Sequence, residues 1–396
     1  MSILRKKTAR FRSVIRYTAA FIFLIALSAA VGTRSFSSDY PAPDYRTVRK
    51  GLRYGRVELD DPPLIYHVVR VDLTAPGLEV RPIRGKGRKE DMGKMAARVI
   101  GAGRPLLAAI NGDYFTPANE TNFFPWGILI EDGKLIFSPT EKSAFLIDEG
   151  GDAGIGIPDF TAAVHFSGGK KHRLAAVNRR PDTQAGECVL FTRDWNLTAP
   201  AYDKGTAVTV SLEGAIRNGR IDGQVRGISR MPVEAPIPEN GCVLVFPDSG
   251  ADAFTRPSLG DGVSIDIRLP PAPRQALGGG PRLVRDGKIS VETDRENFSM
   301  TKTVYLSRGR DPRSAAGITS DGRELIMVVV EGRSRRSGGL KMDALAVLMK
   351  QLGAEQAMSF DGGRSVGLFL DGAEAVRGER EICDALGVFE RRGVEE

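Results

Sequence analysis

The sequence predicts an α+β fold, a strand-rich single domain with mixed sheets and about two main helices, following an N-terminal signal or anchor segment. Three observations lead there. Glycine makes up 46 of the 396 residues, and an abundance of tight turns implies many strands. Asp-Gly recurs at 132, 222, 261, 286, 321, 361 and 371, and Asn-Gly at 111, 218 and 240; such pairs supply the positive φ angles of tight hairpins. Only two stretches show convincing helical spacing of apolar residues.

The composition, 41% hydrophobic and 27% charged, is that of a globular protein and excludes disordered, collagen-like and disulfide-scaffold classes. The net charge of +7 suggests an anionic partner until it is located. Residues 1–38 contain Arg5, Lys6, Lys7, Arg10, Arg12, Arg16 and Arg34 and no acidic residue, which leaves 49 basic against 49 acidic side chains in the rest. A neutral body does not fit a strongly basic nucleic-acid-binding domain.

In chain order, the basic segment up to Arg16, the apolar run Tyr17 to Val31 and the small residues Ser28, Ala29 and Ala30 form the pattern of a secretory signal. The run falls short of the ~20 residues of a membrane span. Residues 1–32 are therefore read as a signal peptide or signal anchor, 33–54 as a tether, and 55–392 as the domain. Export places that domain in the periplasm, or facing outward on an uncleaved anchor, with the membrane touched only through the N-terminal segment. Strands are expected at Ile65–Leu73, Leu106–Ile110, Trp126–Ile130, Val189–Thr192, Val243–Phe246, Leu325–Val330, Ala357–Phe360 and Val366–Leu370. Asp91 caps a first helix with Met92, Met95, Ala96, Val99 and Ile100 on one face. A second runs from Lys341 to Leu352 and stops at Gly353.

Cys188, Cys242 and Cys383 read as buried small hydrophobes, although export would permit a disulfide. No Cys-x-x-Cys occurs, and His67, His165 and His172 lie far from any cluster, so no metal site is expected. No P-loop or dinucleotide fingerprint occurs either, and no cofactor is expected. Gly363-Arg364-Ser365-Val366-Gly367 spells a nucleophile elbow, but a strand follows where a helix belongs and no histidine follows the serine, so a serine hydrolase is rejected.

The chemistry-bearing residues stand at the ends of apolar strands, where function is often mounted. Asn111-Gly112-Asp113-Tyr114-Phe115 follows Leu106–Ile110; the plain alternative is an Asn-Gly turn. Glu331-Gly332-Arg333 ends Leu325–Val330, where an unpaired charge would be costly. Arg313 lies just ahead of another strand. Arg333, Arg335 and Arg336 lead to Ser337-Gly338-Gly339 before the second helix, a solvated loop or else an anion site. Asp361-Gly362-Gly363 follows Ala357–Phe360, and its glycines let a ligand approach the backbone.

The series Asn111-Gly112-Asp113-Tyr114-Phe115, Pro125-Trp126-Gly127, Asn178-Arg179-Arg180, Gly278-Gly279-Gly280-Pro281, Pro312-Arg313, Glu331-Gly332-Arg333 and Asp361-Gly362-Gly363 resembles, in order and spacing, the phosphodiester glycosidase family over roughly residues 60–390. The resemblance implies an exported hydrolase of sugar-1-phosphodiesters. Asp361 and Glu331 would act at the anomeric centre, Arg313 and Arg333 on the phosphate, and Asn111, Asp113 and Ser365 on sugar hydroxyls. Arg180, Gly362 and Gly363 would complete the substrate-binding set. The family pattern has Asn at 359, Gly at 364 and Asp at 331, where this chain has Ser359, Arg364 and Glu331; Arg364 would add a cation that alters substrate choice or fills the pocket. The alternative is a non-catalytic accessory that binds or assembles an anionic exopolysaccharide. A third reading, hydrolysis of ordinary glycosidic bonds, requires two carboxylates set for retention or inversion.

Overall fold

The computed structural model describes residues 39–85, 89–117, 123–167, 169, 171–180, 187–231, 234–247, 257–298 and 309–391. The segment read as a signal, 1–32, lies outside them. Nine elements position the site: β1 (Pro63–Asp72), α1 (Met92–Gly101), β2 (Leu106–Asn111), β3 (Arg313–Ile318), β4 (Glu324–Val330), α2 (Met342–Gln351), β5 (Gln356–Ser359), β6 (Leu368–Leu370) and β7 (Asp384–Glu390).

An eight-stranded sheet has the order Arg46–Arg49, Leu52–Asp60, β1, β4, β3, β5, Arg282–Arg285, Lys288–Ile289. Facing it, a five-stranded sheet runs Ala373–Val376, β6, β2, β7, Leu78–Arg84. The apolar layer between them includes Val69 and Val71 of β1, Met327 and Val329 of β4, Met358 and Phe360, and Ile110, Leu368 and Leu386 of the second sheet. Alternate residues of β1 and β4, such as Val68 and Val328, point the other way onto Leu345, Ala346 and Met349 of α2. Both faces of the central strands are thus buried, which is why they read as uninterrupted apolar runs. All neighbours in the two sheets pair antiparallel. The mixed character lies elsewhere: a seven-stranded closed barrel, in which Lys171–Val177 pairs parallel with Glu187–Phe191, holds its own core around Val164, Leu190, Val208 and Leu244.

Both expected helices form. Asp91 accepts a hydrogen bond from the Gly93 N–H at 3.1 Å, satisfying one of the donors left open at a helix start. The second helix ends where Gly353 takes φ +93° and the Ala354 N–H reaches back to the Met349 carbonyl at 3.0 Å, a left-handed stop that glycine adopts at little cost. Cys188, Cys242 and Cys383 are buried, unbridged thiols.

Several expectations change. Asp132, Asp286 and Asp371 do turn with positive φ at both Asp and Gly, but Asn111-Gly112 is no hairpin: Asn111 is the last residue of β2. Of Trp126–Ile130 only Leu129 and Ile130 lie in a strand, Leu129–Glu131, with a separate strand at Phe123–Pro125, and a short 3₁₀ turn at Gly363–Ser365 delays the strand expected from Val366. Residues 46–49 and 52–54 of the segment read as tether lie in two strands. Their few apolar positions, Val48, Leu52 and Tyr54, are interspersed with Arg46, Arg49 and Arg53, so composition alone concealed them.

Candidate active site

The topology brings the polar strand ends together. Because β4 and β5 both run antiparallel to β3, their C-terminal ends share one edge with the start of β3. In the facing sheet the end of β2 lies beside the starts of β6 and β7. Asn111 joins the two edges: its Nδ2 donates to the Asp361 carbonyl at 2.7 Å, and its Oδ1 accepts from the Ser314 hydroxyl and from the Gly367 N–H at 3.3 Å. The Asp361 N–H returns a bond to the Gly112 carbonyl at 3.0 Å. An amide side chain suits this joint because it both donates and accepts.

Asp361 sits at that joint, 7% exposed. Its Oδ2 accepts from the Ser365 hydroxyl at 2.6 Å and from Arg380 Nη2, while Arg380 Nε donates to Ser365 Oγ at 2.6 Å. The Arg380 guanidinium lies 4.6 Å from the centre of the Phe115 ring. Burial pushes the Asp361 carboxyl upward in pKa, and Arg380, Ser365 and the Gly362 N–H offset only part of that. Gly363 holds φ +61°, and a Cβ there would lie 3.0 Å from Arg333 Nη2, so both conformation and proximity call for glycine.

Two more buried carboxylates meet nearby. The Asp113 N–H donates to Asp384 Oδ1 at 2.7 Å, the Gly127 N–H donates to Asp113 Oδ2, and the Cys383 thiol donates to Asp384 Oδ2 at 3.3 Å. A Cβ on Gly112 would stand 2.3 Å from Asp384 Oδ1, and one on Gly278 would stand 2.6 Å from Asp113 Oδ2, so the glycines of two motifs make room for this pair. Burial raises Asp113 to about 7, with the nearby Asp361 charge adding to the rise, and burial raises Asp384 well above the carboxylate range, reinforced by Asp113. At neutral pH the pair therefore retains a proton.

Glu331 has different company. Its Oε1 lies 2.9 Å from His67 Nε2, and His67 Nδ1 lies 2.8 Å from the Tyr54 hydroxyl. Burial lowers the His67 pKa against the pull of Glu331. No hydrogen bond or ion pair links Glu331 to Asp361 among the described residues; the loops that carry them both border Pro312, which would lie 2.7 Å from a Cβ on Gly332 and 3.0 Å from one on Gly362. Arg313 is buried, donating through Nε to the Leu340 carbonyl and through Nη2 to the Gly309 carbonyl, each at 2.9 Å. Arg333 pairs with Asp311 at 3.1 Å and Glu379 at 3.7 Å. Arg180 lies apart from these groups, donating to the Ala201 carbonyl at 2.9 Å beside the Tyr202 ring; its neighbour Arg179 instead donates to the Ser138, Pro125 and Gly127 carbonyls. Arg364 extends outward near Glu379, its side chain 63% exposed, and among the described residues it makes no hydrogen bond or ion pair with Asp361. Arg335 is exposed and Arg336 pairs with Glu58 at 2.7 Å, so that arginine run is largely a solvated loop.

Sequence reasoning missed Arg380 and Asp384. Arg380 sits in a highly charged run, Arg377-Gly-Glu-Arg-Glu381, that reads as a loop. Asp384 opens an otherwise apolar strand, the one weak signal available. Among the described residues no group of three or more His, Cys, Asp or Glu side chains is placed to hold a metal ion.

Residues 211–389 match the family model described as phosphodiester glycosidase. The chain thus resembles the phosphodiester glycosidases. No curated protein matches it. A crystal structure of a hypothetical protein from Synechocystis superposes with a TM-score of 0.72 at 21% identity, covering 89% of this chain and 65% of that one. A Burkholderia pseudomallei protein described as exported gives 0.64 at 19% identity, covering 82% and 74%. At such identities these two share the fold. The chain spans 65% of the length of the Synechocystis protein. The catalytic domain of zebrafish N-acetylglucosamine-1-phosphodiester alpha-N-acetylglucosaminidase gives 0.43 at 16% identity, covering 90% and 86%. The phosphodiester glycosidase match includes β3 to β6, and so Asp361, Arg313 and Glu331, together with Arg380 and Asp384.

Proposed function

We propose that the protein is an exported hydrolase that cleaves sugar-1-phosphodiesters between the anomeric carbon and the phosphate oxygen. The observation that supports it best is Asp361: a buried carboxylate at the meeting of two sheet edges, bonded to a hydroxyl and a guanidinium, in the segment that matches a glycosidase family. Water adds to C1 and gives its proton to a carboxylate, while the C1–O electron pair leaves on the phosphomonoester. That leaving group is already a stable anion, so the site needs a carboxylate facing the positively charged anomeric centre and a cation on the phosphate more than a strong general acid. Asp361 and Glu331 are assigned the carboxylate roles. Asn111, Asp113 and Ser365, buried and already hydrogen-bonded within the protein, are assigned to holding the surroundings of Asp361 rather than to direct contact with sugar hydroxyls.

The test is hydrolysis of methyl 1-phosphodiesters of glucose, N-acetylglucosamine and mannose in isotopically labelled water, with Asp361→Asn as control. Label in the sugar supports the reading; label in the phosphate, or turnover undiminished in Asp361→Asn, refutes it. One observation favours a second reading. The Arg380–Asp361 pair neutralises the candidate carboxylate, as would suit a protein that binds an anionic polysaccharide without cleaving it. Polysaccharide binding with no turnover of any phosphodiester would establish that alternative.

A further inference from the structure

Resting on the phosphodiester reading, we propose that Arg380 is the cation that receives the substrate's phosphate, exchanging its bond to Asp361 for the anion and so releasing that carboxylate toward the sugar. The arginines expected for this task are otherwise engaged. Arg313 is buried and holds backbone carbonyls on two sides, and Arg333 is held between Asp311 and Glu379. Arg380 alone among the arginines with described contacts touches both Asp361 and Ser365.

Its geometry suits an incoming anion. The side chain is 40% exposed while that of Asp361 is 10% exposed, so the guanidinium lies between the buried carboxylate and solvent. Nε and Nη2 face Ser365 and Asp361; among the described residues Nη1 makes no hydrogen bond. A guanidinium presents N–H pairs that match phosphate oxygens two at a time, and the Phe115 ring, its centre 4.6 Å away, supports this one. A phosphodiester approaching from solvent meets that edge first. It brings the negative charge that can replace Asp361 as the counter-ion, whereas a neutral leaving group brings none and leaves the ion pair closed. The arrangement therefore selects an anionic aglycone through the cost of opening the pair. Ser365 stays with Asp361 and keeps the carboxylate in place after the exchange.

The experiment compares wild type, Arg380→Gln and Arg380→Lys on methyl sugar-1-phosphodiesters and on p-nitrophenyl glycosides of the same sugars, with inorganic phosphate as competitor. In Arg380→Gln the KM for phosphodiesters should rise on the order of 10- to 100-fold, with phosphate inhibition weakened by a similar factor. On p-nitrophenyl glycosides kcat/KM should rise rather than fall, since no anion is bound there and the cost of opening the Arg380–Asp361 pair is gone. Arg380→Lys keeps the charge but loses the two-point grip, and should recover part of both effects; it also serves if the Gln variant fails to fold. A loss of kcat that is equal on both substrates, with phosphate inhibition unchanged, would overturn the assignment and leave Arg380 a structural partner of Asp361. If wild type turns over no phosphodiester, the function proposed above falls, and calorimetric titration with inorganic phosphate still decides on Arg380. Binding lost in Arg380→Gln supports the anion site, and binding equal to wild type, or absent from wild type, overturns it.

Discussion

Charge placement inside the fold sets the chemistry at the scale of single residues. Asp361 is enclosed by polar partners contributed from outside its own strand. Asp361→Asn keeps the shape and the hydrogen bond from Ser365 but removes the charge. Turnover should fall on the order of 10²–10³, as when one preorganised electrostatic group is removed, with little change in Tm; steady-state rates and a thermal melt on the same preparation check both parts. Asp113 leads to a stability prediction. Its folded-state pKa of about 7 lies above the ordinary carboxylate value of 3.8, so the folded protein binds this proton more tightly than the unfolded chain does. The associated stabilisation is complete below the unfolded value and is lost as pH rises through about 7. Asp113→Asn removes a proton-linked cost without changing shape, so the fall of Tm between roughly pH 4 and 8 should flatten and Tm at the upper end should rise by about 2 °C or more. An unchanged Tm–pH curve would show that Asp113 does not carry the shared proton.

At the scale of elements, helices and central strands were legible because each announces itself locally. Met92, Met95, Ala96 and Val99 share one face and are all buried, and the cap at Asp91 is a neighbouring residue. Replacing Asp91 with Ala should cost about 1 kcal/mol, the usual worth of such a cap, and lower Tm by about 2–4 °C. Activity at a temperature well below the transition should be unaffected; a loss of activity would mean that α1 holds the site. β4 and β5 were equally plain, since strands buried on both faces carry apolar residues at every position. The misread pieces were those whose identity depends on distant partners. Asn111-Gly112 has the local form of a turn, and nothing within ten residues reveals that the Asn side chain instead bonds to Ser314, Asp361 and Gly367. Arg380 and Asp361 are likewise 19 residues apart, separated by two strands. Motif order pointed to Asp361, Asn111 and Asp113 as candidates, but which cation faces which carboxylate is decided by the folding of loops over one another.

At the scale of the whole domain, the candidate site is the seam between two antiparallel sheets, and the same hydrogen bonds serve both stability and chemistry. Asn111 makes three buried bonds at this seam, two of them across it to the eight-stranded sheet or the loop that leaves it. Asn111→Ala would leave the Ser314 hydroxyl, the Gly367 N–H and the Asp361 carbonyl without these partners, in a site too enclosed for each to be fully rehydrated. Unsatisfied buried polar groups cost about 1–3 kcal/mol each, and partial relaxation brings the expected total to about 3 kcal/mol. The loss should be larger than that of Asp91→Ala, although both remove hydrogen bonds made by one side chain. It should also be accompanied by a fall in activity, because Asp361 loses one of the two bonds that fix its backbone. Amide hydrogen exchange distinguishes a seam that opens locally from a domain that is weakened throughout. In Asn111→Ala, protection should fall first at Asp361 and Gly367, whose N–H groups lie on the seam, while β3 and β4 retain theirs. Uniform loss of protection across both sheets would mean that Asn111 supports the entire core, and that the seam is not a separable unit on which a catalytic site is mounted.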